Sequence, residues 1–210
     1  MHYVMSVSSF SISQIDADIL KELGNICVGN STSILSQLLG GRVDVYLPGL
    51  DLISVKDISN YIKQKGKMVY GVNAQITESL EGTIFLLFPE KDSLKIIAKF
   101  LQDVDVQGVE SIKYGISIIK EIAGISIFSY INTLSTLIRK LILSSVPNFL
   151  SGSVEELLTM IVREYEQLGS VCIVHTTFRE QKMGIEGTYY LVLNESSTDT
   201  LVNYINPSIE

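Results

Sequence analysis

Along residues 16–40 the apolar positions Leu20, Leu23, Cys27, Ile34 and Leu38 recur at helical spacing and form one stripe. Asp16 stands where an N-cap belongs and Gly40-Gly41 where the helix should stop, so one long helix is predicted there. RVDVYLP alternates apolar and polar residues and reads as a strand stopped by Pro48. MVYGVNAQIT and GTIFLLF read as two further strands, joined by a polar turn around Glu78-Ser79. KDSLKIIAKFL follows as a short amphipathic helix.

The same order then recurs. LKELGNICVGNSTSILSQLLGGRVDVYLP agrees in character with IKEIAGISIFSYINTLSTLIRKLILSSVP, and Glu22 to Glu121 and Pro48 to Pro147 are both separated by 99 positions. LEGTIFLLFPEKDSLKIIAKFL is answered by IEGTYYLVLNESSTDTLVNYI, where Glu81 matches Glu186 at an offset of 105. The second half also carries EELLTMIVREYEQLG as an additional helical stretch, with VCIVHTTF and GTYYLVL as strands. Hairpin strands flanked by long helices predict an α+β class, with antiparallel sheet rather than a doubly wound fold. The expectation is a pseudo-twofold duplication within one body, with repeats of about 15–101 and 112–205 and two long helices carrying equivalent surfaces.

Composition narrows the class. The chain has 210 residues, of which 46% are hydrophobic, enough to bury a sizeable core. No window approaches the uninterrupted apolar run of a membrane span, and the N-terminus lacks the charge and apolar stretch of a signal peptide. A net charge of -7 and the lack of a dense basic run exclude nucleic acid as the expected partner. Cys27 and Cys172 lie far apart, which suits a reducing compartment and lacks metal-ligand spacing. A cytoplasmic protein is expected.

Asp18, Glu22 and Asn25 stand at i, i+4 and i+7, which places them within an arc of roughly 60° on a helix turning about 100° per residue. Ile19, Leu23, Ile26, Cys27 and Ile34 are expected on the side away from that arc. A carboxylate and an amide would then project from a rigid, anchored element. Asn is a middling-to-poor helix former, and Gly24 and Gly29 each cost about 1 kcal/mol against Ala in a helix, so their presence calls for a reason. Gly24 is expected to thin the surface beside Asn25 and let another backbone approach.

The string Asp18-Ile-Leu-Lys-Glu22-Leu-Gly-Asn25, followed by 22 residues and Pro48, resembles the signature of the CheC-type chemotaxis phosphatases. The similarity extends to the surrounding ELGNICVGNSTSILSQLLG and to the duplication, so it runs over essentially the whole chain. It implies a phosphatase acting on the phospho-aspartate of the response regulator CheY. Asn25 would orient the attacking water and Glu22 would pair with the regulator's lysine, as positioning groups in phosphoryl transfer do. The resemblance implies no cofactor of the chain's own, since Mg²⁺ would come with the regulator. Asp18 would support the site at the helix entry, and Pro48 would end the strand and shape the site's edge. The alternative is a non-catalytic module that binds CheY-phosphate, the flagellar switch or the receptor deamidase CheD.

The second copy departs from the pattern. Ser117, Glu121 and Pro147 keep their places, but Gly124 stands where the first copy has Asn25. A glycine holds no water, so this site reads as a catalytically dead copy. Phe128 and Ile131 are apolar where the first helix has Gly29 and Thr32, a face suited to protein contact, including self-association. Asn132 lies two turns too far along to replace the missing amide. His175, Tyr189 and Tyr190 read as strand residues, and Glu155, Glu156, Asp103 and Asp105 as solvated faces or turns.

Overall fold

The computed structural model describes residues 4–7, 10–54, 67–102, 108–164 and 169–205. A hairpin of β1 (Val4–Val7) and β2 (Phe10–Ser13) leads into α1 (Gln14–Leu39), then β3 (Val43–Val45) and β4 (Gly49–Ser54). β5 (Met68–Glu78) and β6 (Gly82–Pro89) form the long hairpin of the first half, closed by α2 (Glu90–Leu101). The second half runs α3 (Val109–Ile138), β7 (Ile142–Ser144), β8 (Asn148–Ser153), α4 (Val154–Glu164), β9 (Ser170–Glu180), β10 (Ile185–Asn194) and α5 (Glu195–Ile205).

The class expected from the sequence is the one observed: α+β, with a fully antiparallel main sheet and two long helices on one face. The order is β3-β9-β10-β6-β5-β7, with β4 also on β9 and β8 also on β5. Each half therefore lends its short strands to the other half's hairpin. Val43 pairs with Glu180 and Gly49 with His175; their counterparts Ile142 pairs with Glu78 and Asn148 with Asn73. The central β6–β10 pair matches Thr188 to Leu87 and, equivalently, Val192 to Thr83. An antiparallel pair related this way has its twofold perpendicular to the sheet. Two helices lying on one face about that axis must run antiparallel to each other.

Several boundaries differ from the sequence reading, each for a local reason. The N-cap of α1 is Ser13, not Asp16: the Asp16 backbone N–H donates to Ser13 Oγ at 3.2 Å, and Ser13 Oγ donates in turn to the Asp16 carboxylate. Such a cap is worth about 1 kcal/mol. Gly40 ends α1 in the left-handed region, with its N–H on the Ser36 carbonyl. RVDVYLP is paired only over Val43–Val45, and the chain past Pro48 forms β4, a strand with too little alternation to read. Glu78, in the expected turn, takes φ 80.

The core lies between the helices and the sheet. α1 buries Ala17, Leu20, Leu23, Cys27, Val28, Leu35 and Leu39, so the stripe shifts from Ile34 and Leu38 to their neighbours near the C-terminal end. Full burial of each Leu contributes about 1.5–3 kcal/mol. Tyr130 stacks on Tyr189, whose hydroxyl shares a buried 2.7 Å hydrogen bond with Ser126. The opposite face packs Phe85, Leu87, Ile173 and Val192 beneath Leu157 and Leu158 of α4. α3 is long and apolar enough, by length and composition alone, to cross a membrane; here Ile119, Ile122, Ile127 and Leu134 are core residues.

Candidate functional site

α1 carries Asp18, Glu22 and Asn25 on its outward side, because Leu20, Leu23 and Cys27 fasten the other side to the sheet. Glu22 is exposed and Asn25 half-buried, and neither side chain hydrogen-bonds to any described residue. Their polar atoms are thus presented outward from a fixed backbone. Asp18 is exposed in the second turn of the helix rather than at its entry. It accepts a hydrogen bond from Gln14 Nε2 at 2.9 Å and lies 3.7 Å from Lys21 Nζ.

Gly24 does not thin the surface. It is buried, and a β-carbon there would lie 2.9 Å from Val174 Cγ1 and 3.6 Å from Thr176 Oγ1 of β9. The glycine lets α1 settle onto the second half's strand, and so sets the height of Asn25 above the sheet. Gly29 is the opposite case: it is exposed, with nothing near the position of a β-carbon. Ile26 also departs from expectation, being 38% exposed. One turn beyond Glu22, it shares that residue's face rather than the buried one.

The second copy shows what the Glu-to-Pro spacing achieves. Glu121 and Ser117 are exposed, Ser117 Oγ donating to the Lys113 carbonyl at 3.0 Å. Gly124 and Pro147 are buried, and a β-carbon at Gly124 would lie 3.4 Å from Pro147 Cγ. The proline before β8 thus returns to the helix at the Asn position. Pro48, before β4, holds the equivalent place in the first copy and is only half-buried. Where the first copy has Asn25, the second has Gly124, with Pro147 packed beside it.

Between α1 and α3 runs a groove of about 570 Å³, lined by Ile26, Asn30, Ile34, Ile125, Phe128 and Asn132 among others. Ile26 and Ile125 each lie one residue past their motif, so the groove joins the two copies. Phe128 is 42% exposed at its edge, whereas Ile131, expected on the same face, is buried. Sequence reading missed the groove; its signal was the pair Ile26 and Ile125, both apolar one turn past an outward glutamate. His175 is more than a strand residue, since its Nε2 lies 3.0 Å from an Asp51 carboxylate oxygen on β4. Gly49 leaves the room its ring occupies. Among the described residues no three His, Cys, Asp or Glu side chains gather as a metal site.

The interleaved sheet and the outward Glu-x-x-Asn helix are the features by which this chain resembles the CheC-like proteins. A sequence model of the CheC-like family matches residues 15–46, the segment of α1 and β3. The chain is 25% identical over 162 residues to the CheY-P phosphatase CheC of Bacillus subtilis (strain 168), covering 76% of this chain and 78% of that one. It is 28% identical over 99 residues to the flagellar motor switch phosphatase FliY of the same organism, spanning 47% of this chain and only 25% of FliY. Among solved structures, Thermotoga maritima FliY superposes with a TM-score of 0.73 at 19% identity, over 93% of this chain and 98% of that one. A chain of the CheX–CheY–BeF₃–Mg²⁺ complex of Borrelia burgdorferi superposes with a TM-score of 0.52 at 17% identity, over 81% of this chain and 97% of that one. The resemblance to CheC-type phosphatases that the motif implied is borne out.

Proposed function

We propose that this chain hydrolyses the phospho-aspartate of a CheY-type response regulator, in the cytoplasm, with the first copy as its working site. The observation that carries the reading is the outward Glu22 and Asn25 on a helix locked to the sheet through Gly24 and Val174. The sequence relative named a CheY-P phosphatase, and the CheX–CheY complex that holds the structural neighbour, support it. In this reading the two repeats, about 15–101 and 112–205, act as one unit.

Asn25 enters the regulator's acidic pocket and holds a water in line with phosphorus, its amide oxygen accepting a hydrogen bond from that water. Glu22 pairs with the regulator's lysine and fixes the register of the two proteins. The regulator supplies the Mg²⁺ and the phosphoryl group; this chain supplies orientation, which can account for many kcal/mol of a barrier. Asp18 sets the charge beside Glu22 through its contact with Lys21, and Pro48 borders the site.

The test is phosphate release from phosphorylated CheY with wild type, Asn25→Ala and Glu22→Ala. Asn25→Ala should lose the acceleration, by roughly a hundredfold or more as for loss of one positioned transition-state group, while still binding the regulator. Glu22→Ala should raise the concentration needed for half-maximal rate. Decay with wild type no faster than CheY-phosphate alone would overturn the enzyme reading. Retained binding without acceleration would leave the second reading, a binding module for CheY-phosphate, the flagellar switch or CheD, which the apolar groove of Ile26, Ile125 and Phe128 favours.

A further inference from the structure

The two most exposed large apolar side chains among the described residues are Leu47, at 95%, and Val146, at 77%. Single apolar residues scattered over a surface are ordinary, but these two are not scattered. Each stands directly before a proline, and the offset of 99 that relates Pro48 to Pro147 also relates Leu47 to Val146. They are one position of the repeat, apolar and bare in both copies.

The backbone explains why that position projects. The Tyr46 N–H donates to the Thr177 carbonyl at 2.9 Å, and the Ser145 N–H donates to the Gln75 carbonyl at 2.9 Å. The residue before a proline is confined to extended backbone. Leu47 is thus held between a bond to β9 on one side and Pro48 on the other, with its side chain left in solvent. The loop also ends at the site. In the second copy a β-carbon at Gly124 would lie 3.4 Å from Pro147 Cγ. In the first, Thr176 Oγ1 lies 3.6 Å from the β-carbon position of Gly24, and the next residue of β9 holds Tyr46. Leu47 therefore stands at the rim of the surface that bears Glu22 and Asn25, with exposed Ile26 on the helix itself.

We infer that Leu47 is a docking residue for the response regulator, seated in an apolar recess beside the acidic pocket that Asn25 enters. The inference rests on the reading of the first copy as the regulator's site. Glu22 and Asn25 set register and orientation, but polar groups give up hydration when they dock and gain little affinity. An apolar side chain gains by leaving water, and one whose backbone is already fixed pays little in ordering. Leu47 meets that description, and Ile26 adds a second apolar contact one turn past Glu22. Leu47 touches no reacting atom, so its effect falls on affinity and not on the chemical step.

The test uses the full chain and CheY activated with beryllofluoride and Mg²⁺, with binding followed by calorimetric titration and phosphate release from phosphorylated CheY measured in parallel. Leu47→Ser is expected to weaken binding at least about tenfold, or 1.4 kcal/mol. It should raise the CheY-phosphate concentration for half-maximal release by a like factor, with the maximal rate retained. Leu47→Met, which keeps an apolar side chain, should restore both. Val146→Ser, the same change on the second copy, should alter neither. Both positions lie in solvent, so an unchanged thermal midpoint shows that the variants fold. Wild-type binding by folded Leu47→Ser, or an equal loss with Val146→Ser, overturns the inference. So does a loss confined to the maximal rate, which would make Leu47 a positioning residue for Asn25 instead of a contact. Failure of the phosphatase reading shows separately, as a wild type that binds activated CheY without speeding phosphate release; the contact at Leu47 is then decided by the binding titration alone.

Discussion

Pro147 lies over Gly124: a β-carbon on that glycine would sit 3.4 Å from Pro147 Cγ, a close van der Waals contact. The second copy is thus closed at the position of Asn25, with Phe128 one turn further on and 42% exposed. Gly124→Asn should fold, since the contact is tolerable and the helix gains a few tenths of a kcal/mol over glycine. It should not by itself raise phosphate release, because Phe128 stands where Gly29 leaves the first copy open. Gly124→Asn with Phe128→Gly should move the rate toward roughly twofold, as one working site becomes two. A twofold gain from the single variant would show that Phe128 is no obstacle.

Two glycines of α1 should respond in opposite directions to alanine. At Gly24 the new β-carbon would lie 2.9 Å from Val174 Cγ1, in a buried contact between helix and sheet. Overpacking of that kind costs about 1–3 kcal/mol, and the helix-propensity gain of about 1 kcal/mol offsets only part of it. Net destabilisation is expected, with loss of the proposed phosphate release as Asn25 is lifted. Gly29 has open space around it, so Gly29→Ala should stabilise by up to about 1 kcal/mol. Urea unfolding of the two variants checks both signs.

The contrast shows what the sequence could and could not say. Spacing alone placed Asp18, Glu22 and Asn25 on one outward face, because helical geometry is local. It could not say that Gly24 points inward, since that depends on β9, a strand some 150 positions on that belongs to the other repeat. β4 and β8 went unread for a related reason. Asn148-Phe-Leu-Ser-Gly-Ser has little periodicity, and the strand exists because β5 offers it an edge. Ile26 was placed on the wrong face, although its position one turn past Glu22 already argued otherwise. The exchange of short strands between repeats is a property of the closed twofold, and no single window carries it.

Glu180 is fully buried at the end of β9, and its two carboxylate oxygens accept the backbone N–H groups of Lys182 at 2.7 Å and Met183 at 2.8 Å. These bonds shape the turn into β10, which Lys95 also ties down through the carbonyls of Met183 and Gly184. Hydrogen bonds to a charged acceptor contribute about 1.5–3 kcal/mol each. Glu180→Ala should therefore lower stability by about 3 kcal/mol or more. Glu180→Gln, which keeps one carbonyl acceptor, should lose about half as much. Equal losses in chemical denaturation would argue that packing, not hydrogen bonding, is what Glu180 provides.

Cys27 and Cys172 are both buried, and burial pushes each thiol up to about 12 from an ordinary value of 9.0. Burial also raises the Tyr130 and Tyr189 hydroxyls. These groups are neutral in the folded protein below their raised values. In the unfolded chain the thiols ionise from about pH 9 and the phenols from about 10. Each folded value lies above its unfolded one, so the stability tied to these groups is intact below pH 9. It is lost as pH rises, because the unfolded state releases protons that the folded state keeps. Stability should accordingly fall steeply between pH 9 and 12, and Cys27→Ala with Cys172→Ala should flatten the first part of that fall. At pH 8 the native thiols should resist a water-soluble disulfide reagent, reacting only at the rate of opening. Rapid stoichiometric labelling of the folded wild type would show that α1 opens from β9 far more readily than its packing implies.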